Sequence, residues 1–229
     1  MRSSLLFVFA LVAAEKPDDL HEAILTGSLS EVLELLDKGA SLTKRDSLGY
    51  TPLHRACDDG SDANPEIVRL LLERGAGLGD ATSSEGVSLE NKEKGIDARD
   101  NNRATPLMLA AGGGQPQIVE MLVEAGANLE AQDEFGLRPL HYAAESGHES
   151  AVEALLTLGA NPDSEDETGK TAAEIARAWG FPKVAEIFGP TASISDAAPE
   201  LAAGAPPPSS TDGSARRMPD NLQPEKMEL

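Results

Sequence analysis

Short apolar blocks alternate with glycine-marked breaks along most of the chain. Val32 and Leu35, Val68 and Leu71, Val119 and Leu122, and Val152 and Leu155 each stand three residues apart, a spacing that puts both members on one face of a helix. Ala23, Ala56, Ala110, Ala143 and Ala176 lie in segments with a small face, so neighbouring helices can approach closely. Thr51 and Thr105 are placed to cap a helix by accepting a backbone N–H, and Pro52, Pro106 and Pro139 fall at the first helical position, where a missing N–H costs nothing. Gly27, Gly60, Gly114, Gly147 and Gly180 permit a left-handed stop after the first helix, and Gly39, Gly75, Gly126 and Gly159 close the second. The pattern predicts successive pairs of short helices.

The pairs are copies of one another. Thr51-Pro-Leu-His-Arg-Ala56, Thr105-Pro-Leu-Met-Leu-Ala110, Arg138-Pro-Leu-His-Tyr-Ala143 and Thr171-Ala-Ala-Glu-Ile-Ala176 repeat one block, with a weaker copy at Asp18-Asp-Leu-His-Glu-Ala23. Three of the four steps are 33 residues long. Residues 15–190 resemble the ankyrin repeat, whose block is Thr-Pro-Leu-His-x-Ala followed by a second apolar helix, Gly-Ala and a hairpin. The resemblance implies an all-α solenoid of about five helix pairs with short β-hairpin or turn connections, in which each pair buries its face only against the next. Glu22, Ser30, Glu31 and Glu34 in the first unit, and Glu174, Arg177, Lys183 and Glu186 in the last, suit polar outer caps. Ser61-Asp62-Ala63 lengthens one inter-helix turn, and an insertion at about 77–94 interrupts the link between the second and third units. That insertion is polar and glycine- and serine-containing, which predicts a projecting loop.

Aromatics make up only 3% of residues, so the core must be filled by Leu, Val, Ile and Ala. The 39 acidic residues against 19 basic ones give a formal charge of -20, which disfavours nucleic acid and anionic lipid as partners. The lone Cys57 aligns with Ala111 and Ala144, positions for small packing residues, and no cysteine cluster is available for zinc or iron–sulfur. His21, His54 and His141 share the fourth position of the repeated block and His148 follows a unit glycine, so all four are assigned to hydrogen bonding at turn–helix junctions. Gly112-Gly-Gly-Gln115 and Gly75-Ala-Gly-Leu-Gly79 lack both phosphate-binding spacings. Asp163, Glu165, Asp166 and Glu167 lack the order of a calcium loop and fit a solvated hairpin. No catalytic constellation is visible, and no cofactor or metal site is assigned.

In the resembled family, partners contact hairpin tips and the exposed ends of the first helices, on a concave face. By register this implies tip positions at Ser47, Leu48 and Tyr50, at Asn101, Asn102 and Ala104, at Glu134, Phe135 and Leu137, and at Glu167, Thr168 and Lys170. Helix-end positions are Asp58 and Asp59, Gly112 and Gly113, Glu145 and Ser146, and Ala178 and Trp179. Tyr50, Phe135 and Trp179 are the anchor candidates, because aromatic rings offer large contact area at low rotamer cost, and Asp58, Asp59, Glu134 and Glu145 would select a basic partner. The chain is thus expected to be a non-enzymatic module or adaptor binding a protein; the alternative is an acidic regulatory subunit or inhibitor laid over a basic site of an enzyme. A monomer is expected.

Residues 1–14 place one positive charge before an apolar run that ends in small residues, too short to span a bilayer. That order suits either a secretory signal or an apolar helix packed over the first unit. From 191 to 229 the chain turns to Ala, Pro, Ser and Gly without apolar periodicity, a composition that predicts disorder. Its last residues, Lys226-Met227-Glu228-Leu229, are similar to an endoplasmic-reticulum retrieval signal, with Met227 departing from it. Together the ends suggest the secretory pathway or endoplasmic-reticulum lumen; the alternative is cytoplasmic.

Overall fold

The computed structural model describes residues 20–58, 64–76 and 95–189. The tail from 191 to 229 falls wholly outside the described residues. So do the signal-like segment 1–14, Asp59, the lengthened turn at 61–63, the insertion at 77–94 and the tail signal.

Ten helices are described. The first helices of the pairs are α1 (Leu20–Leu25), α3 (Pro52–Cys57), α5 (Pro106–Gly112), α7 (Pro139–Glu145) and α9 (Ala172–Ala178); the second are α2 (Leu29–Asp37), α4 (Pro65–Glu73), α6 (Pro116–Glu124), α8 (Glu149–Thr157) and α10 (Pro182–Ile187). First helices pack side by side in one layer and second helices in another, each pair touching the next. No strand occurs among the described residues; the connections are turns, with a single antiparallel bridge between Glu165 and Thr171.

The caps form at Thr51 and Thr105, where the sequence places them, and also at Thr171. The hydroxyls of Thr51, Thr105 and Thr171 accept from the backbone N–H of His54, Met108 and Glu174. Val32, Val68, Val119 and Val152 with Leu35, Leu71, Leu122 and Leu155 are buried, and so are the five repeated alanines. These side chains belong to one continuous apolar cluster running from Leu20 to Ala185. No pair closes a core alone, so stability resides in the contacts between pairs.

Polar contacts fix the register of that stack. His21, His54 and His141 each place Nε2 on a carbonyl of the following unit, at Tyr50 (2.9 Å), Ala104 (3.2 Å) and Ser164 (3.1 Å). The histidine bonds therefore reach beyond the local junction and tie neighbouring units together. Arg45 donates to the Arg99 carbonyl, Arg99 to that of Gln132 (2.7 Å) and Arg138 to that of Glu165 (2.7 Å). The carboxylates of Asp97 and Glu130 accept the backbone N–H of Asn128 (2.8 Å) and Asn161 (2.9 Å), again one unit further on. His148 serves packing instead. Its ring lies where a side chain on Gly114 would sit, since a Cβ there would be 2.5 Å from Nδ1; Gly147 is related in the same way to Phe181.

Candidate functional site

Four hairpin tips form one edge of the stack, and an aspartate builds each of them. The backbone N–H groups of Asp46, Asp100, Asp133 and Asp166 donate to the carbonyls of Tyr50, Ala104, Leu137 and Lys170 at 2.9–3.0 Å. Each carboxylate in turn accepts two backbone N–H groups across its own loop: Leu48 and Tyr50, Asn102 and Ala104, Phe135 and Leu137, Thr168 and Lys170. The side chain thereby mimics a turn of backbone, which is why this short acid suits the position. Sequence reasoning named only Asp166 among these four residues, as part of a solvated hairpin, and missed the role of all of them. Their signal was present in the recurrence of Asp five residues before Thr51, Thr105, Arg138 and Thr171.

The tips are also joined to each other. Asn101 N donates to Leu48 O (3.2 Å), Glu134 N to Asn102 O (3.1 Å) and Glu167 N to Phe135 O (3.1 Å). One backbone bond per step makes the row a fixed array. Gly49 shows how close the steps are: its φ is 80°, and a Cβ there would lie 2.5 Å from Asn101 Oδ1.

Two tips are pinned to the first helix of their own unit. Asp46 pairs with Arg55, and the Tyr142 hydroxyl donates to Asp133 Oδ2 (2.8 Å). Partial burial raises the Asp46 carboxyl, but the N–H groups of Tyr50 and Leu48 and the Arg55 guanidinium outweigh it and hold that carboxyl below its ordinary value. Arg55 also reaches Asp58 (3.4 Å) and lies 4.8 Å from the centre of the Tyr50 ring, which stacks on His54 at 5.6 Å. Tyr50 and Asp58 thus belong to an intramolecular cluster.

The other expected contact residues are distributed as follows. Asn101, Asn102 and Glu134 are exposed at the tips, although the Asn101 amide also donates to Ser47 O (3.1 Å). Leu137 is half-buried against the core and Glu145 is half-buried at the end of α7. Phe135 is 43% exposed at a tip and Trp179 42% exposed at the end of α9. Leu48, the tip counterpart of Phe135, is 46% exposed.

Other chemistry is occupied elsewhere. His54 is fully buried; its Nδ1 lies 3.2 Å from Thr51 N, so Nε2 carries the proton given to Ala104 O, and burial pushes its pKa down to about 4. Burial likewise lowers His141. Burial raises the Cys57 thiol far above its ordinary value, which removes nucleophilic character. Among the described residues no cluster of His, Cys, Asp or Glu is placed to hold a metal ion, and no helix is long and apolar enough to cross a membrane.

A stack of helix pairs presenting a hydrogen-bonded row of loops is the architecture of a repeat scaffold for protein interaction. The family model for ankyrin repeats matches three times, at residues 8–82, 85–166 and 107–192, and the chain belongs to the ankyrin repeat family. It is 48% identical over 67 residues to the human (Homo sapiens) protein phosphatase 1 regulatory subunit 27, covering 29% of this chain and 41% of that protein. It is 38% identical over 136 residues to ankyrin repeat, SAM and basic leucine zipper domain-containing protein 1 of Dasypus novemcinctus, covering 51% of this chain and 28% of that one. The chain therefore spans less than half the length of these relatives.

Proposed function

We propose that this chain is a non-catalytic, monomeric interaction module that binds a protein partner along its hairpin tips and the C-terminal ends of its first helices. The observation that carries the proposal is the exposure of Leu48, Phe135 and Trp179 at tip and helix-end positions, on a scaffold whose other described large apolar side chains, Leu25 at the end of α1 apart, are buried or half-buried. Rings held by a rigid backbone array lose little freedom on binding, which makes them effective anchors. Glu134 and Glu145 in the fourth unit, and the Asp46–Arg55–Asp58 cluster in the second, favour a partner with basic groups around an apolar contact. The test is to capture the partner with the full chain and measure its affinity for wild type and for the F135A/W179A double variant. A loss of at least about tenfold is expected, with an unchanged melting temperature. Equal affinity would refute the assigned face.

One relative's name favours a more specific version, in which the acidic surface covers a basic site on an enzyme. Protein phosphatase 1 regulatory subunit 27 is by name a regulatory subunit. On this reading the chain binds the catalytic subunit of protein phosphatase 1 and the affinity falls steeply between 50 and 300 mM salt, roughly as expected for screened charge pairs. Absence of binding at micromolar concentrations, roughly the range of transient complexes, would rule this version out and leave the broader one standing.

A further inference from the structure

The third unit breaks the tip pattern at one residue. Gly49, Gly136 and Gly169 occupy the fourth position of their tips, each with a left-handed backbone; Arg103 occupies the same position with φ 61°. A side chain there is strained, and glycine relieves the strain without altering the loop's hydrogen bonds. The Asp100 carboxylate still accepts Asn102 N and Ala104 N, and the Asn102 carbonyl still joins this tip to Glu134. The side chain contributes nothing visible in return. Arg45, Arg55, Arg74, Arg99 and Arg138 all meet carboxylates or carbonyls within the fold, whereas Arg103 is exposed and no hydrogen bond or ion pair engages its guanidinium among the described residues. It is a cation set in the row between Leu48 and Phe135, on a chain of formal charge -20.

We infer that Arg103 determines specificity: it pairs with one carboxylate of an otherwise basic and apolar partner segment, and so sets the register in which that segment lies across the tips. This deepens the proposed binding mode and rests on it. A fixed cation at this tip rewards a single acid in the ligand and penalises a base opposite it, which fixes one alignment among several.

The probe is a random sixteen-residue peptide library displayed on phage and selected on the immobilised full chain. Enriched sequences are expected to be net basic, to contain a large apolar residue, and to keep one Asp or Glu. A synthetic copy of the enriched peptide should bind the R103G variant about tenfold more weakly and the R103K variant nearly as well as wild type. Replacing the peptide's acid by its amide should remove that difference. The R103G variant should also melt higher by about 2 °C, because the backbone strain is gone. Basic peptides that bind wild type and R103G equally would overturn the role of Arg103 and leave the binding face intact. Selection of peptides with no basic excess, or of none at all, would overturn the binding mode itself and this inference with it.

Discussion

His54 supplies a stability switch whose size and sign follow from its surroundings. The ring is fully buried, bonded through Nδ1 to Thr51 N and through Nε2 to Ala104 O, and its pKa in the folded chain is about 4. Unfolded, it would titrate near 6.5. The folded value lies below the unfolded one, so the unfolded chain takes the proton first as pH falls. Stability from this residue is complete above pH 6.5 and is lost between 6.5 and about 4, reaching about 3 kcal/mol at the lower end and about 1.4 kcal/mol at pH 5.5. Lowered His141 adds a loss of the same sign, whereas the Asp46 carboxyl acts only at more acid pH. The third unit supplies the control, because Met108 fills the position that His54 fills in the second. His54→Met keeps the volume, removes the proton site and leaves the Ala104 carbonyl without this donor, at a cost of about 1–2 kcal/mol at pH 7.5. Urea titrations of both proteins at pH 7.5 and 5.5 measure the difference. The acid loss in wild type should exceed that in the variant by about 1.4 kcal/mol, or about 0.7 M in midpoint. Equal losses would show that His54 is not held neutral by burial.

Further expectations concern packing and tips. Asp133→Ala removes the acceptor of Phe135 N, Leu137 N and the buried Tyr142 hydroxyl, and should cost about 2–3 kcal/mol by thermal or urea unfolding. Gly114→Ala puts a Cβ 2.5 Å from the His148 ring at φ 67° and should cost at least about 1–2 kcal/mol, of which His148→Ala should recover only the clash with the ring and leave the strain of the left-handed backbone. Leu122→Ala opens a cavity at the centre of the shared core and should cost about 3–5 kcal/mol, in contrast to the surface pair F135A/W179A, whose melting temperature should hardly move.

Helix pairs, caps and the buried stripe were legible because each is a relation within about ten residues. Thr51, Thr105 and Thr171 cap the helices that follow them, and Val119 with Leu122 is buried as its spacing demands. The links between units were not legible. That His54 would meet Ala104, Arg99 the Gln132 carbonyl, or Glu130 the N–H of Asn161 depends on the offset at which one pair stacks on the next, and side-chain spacing along the chain does not encode that offset. The tip row was located by register, but its construction was not: the aspartates serve loop backbone rather than solvent. Tyr50 illustrates the same limit, since only the stacking of its ring on His54 and the approach of Arg55 distinguish it from the more exposed Phe135.

Hydrogen–deuterium exchange of the full chain, free and saturated with its captured partner, tests recognition through the tips most directly. Protection should concentrate at residues 47–48, 101–103, 134–135, 145–146 and 178–179, with the outer helices α2, α4, α6 and α8 unchanged. Protection confined to those outer helices, with the tips exchanging as in the free chain, would contradict it.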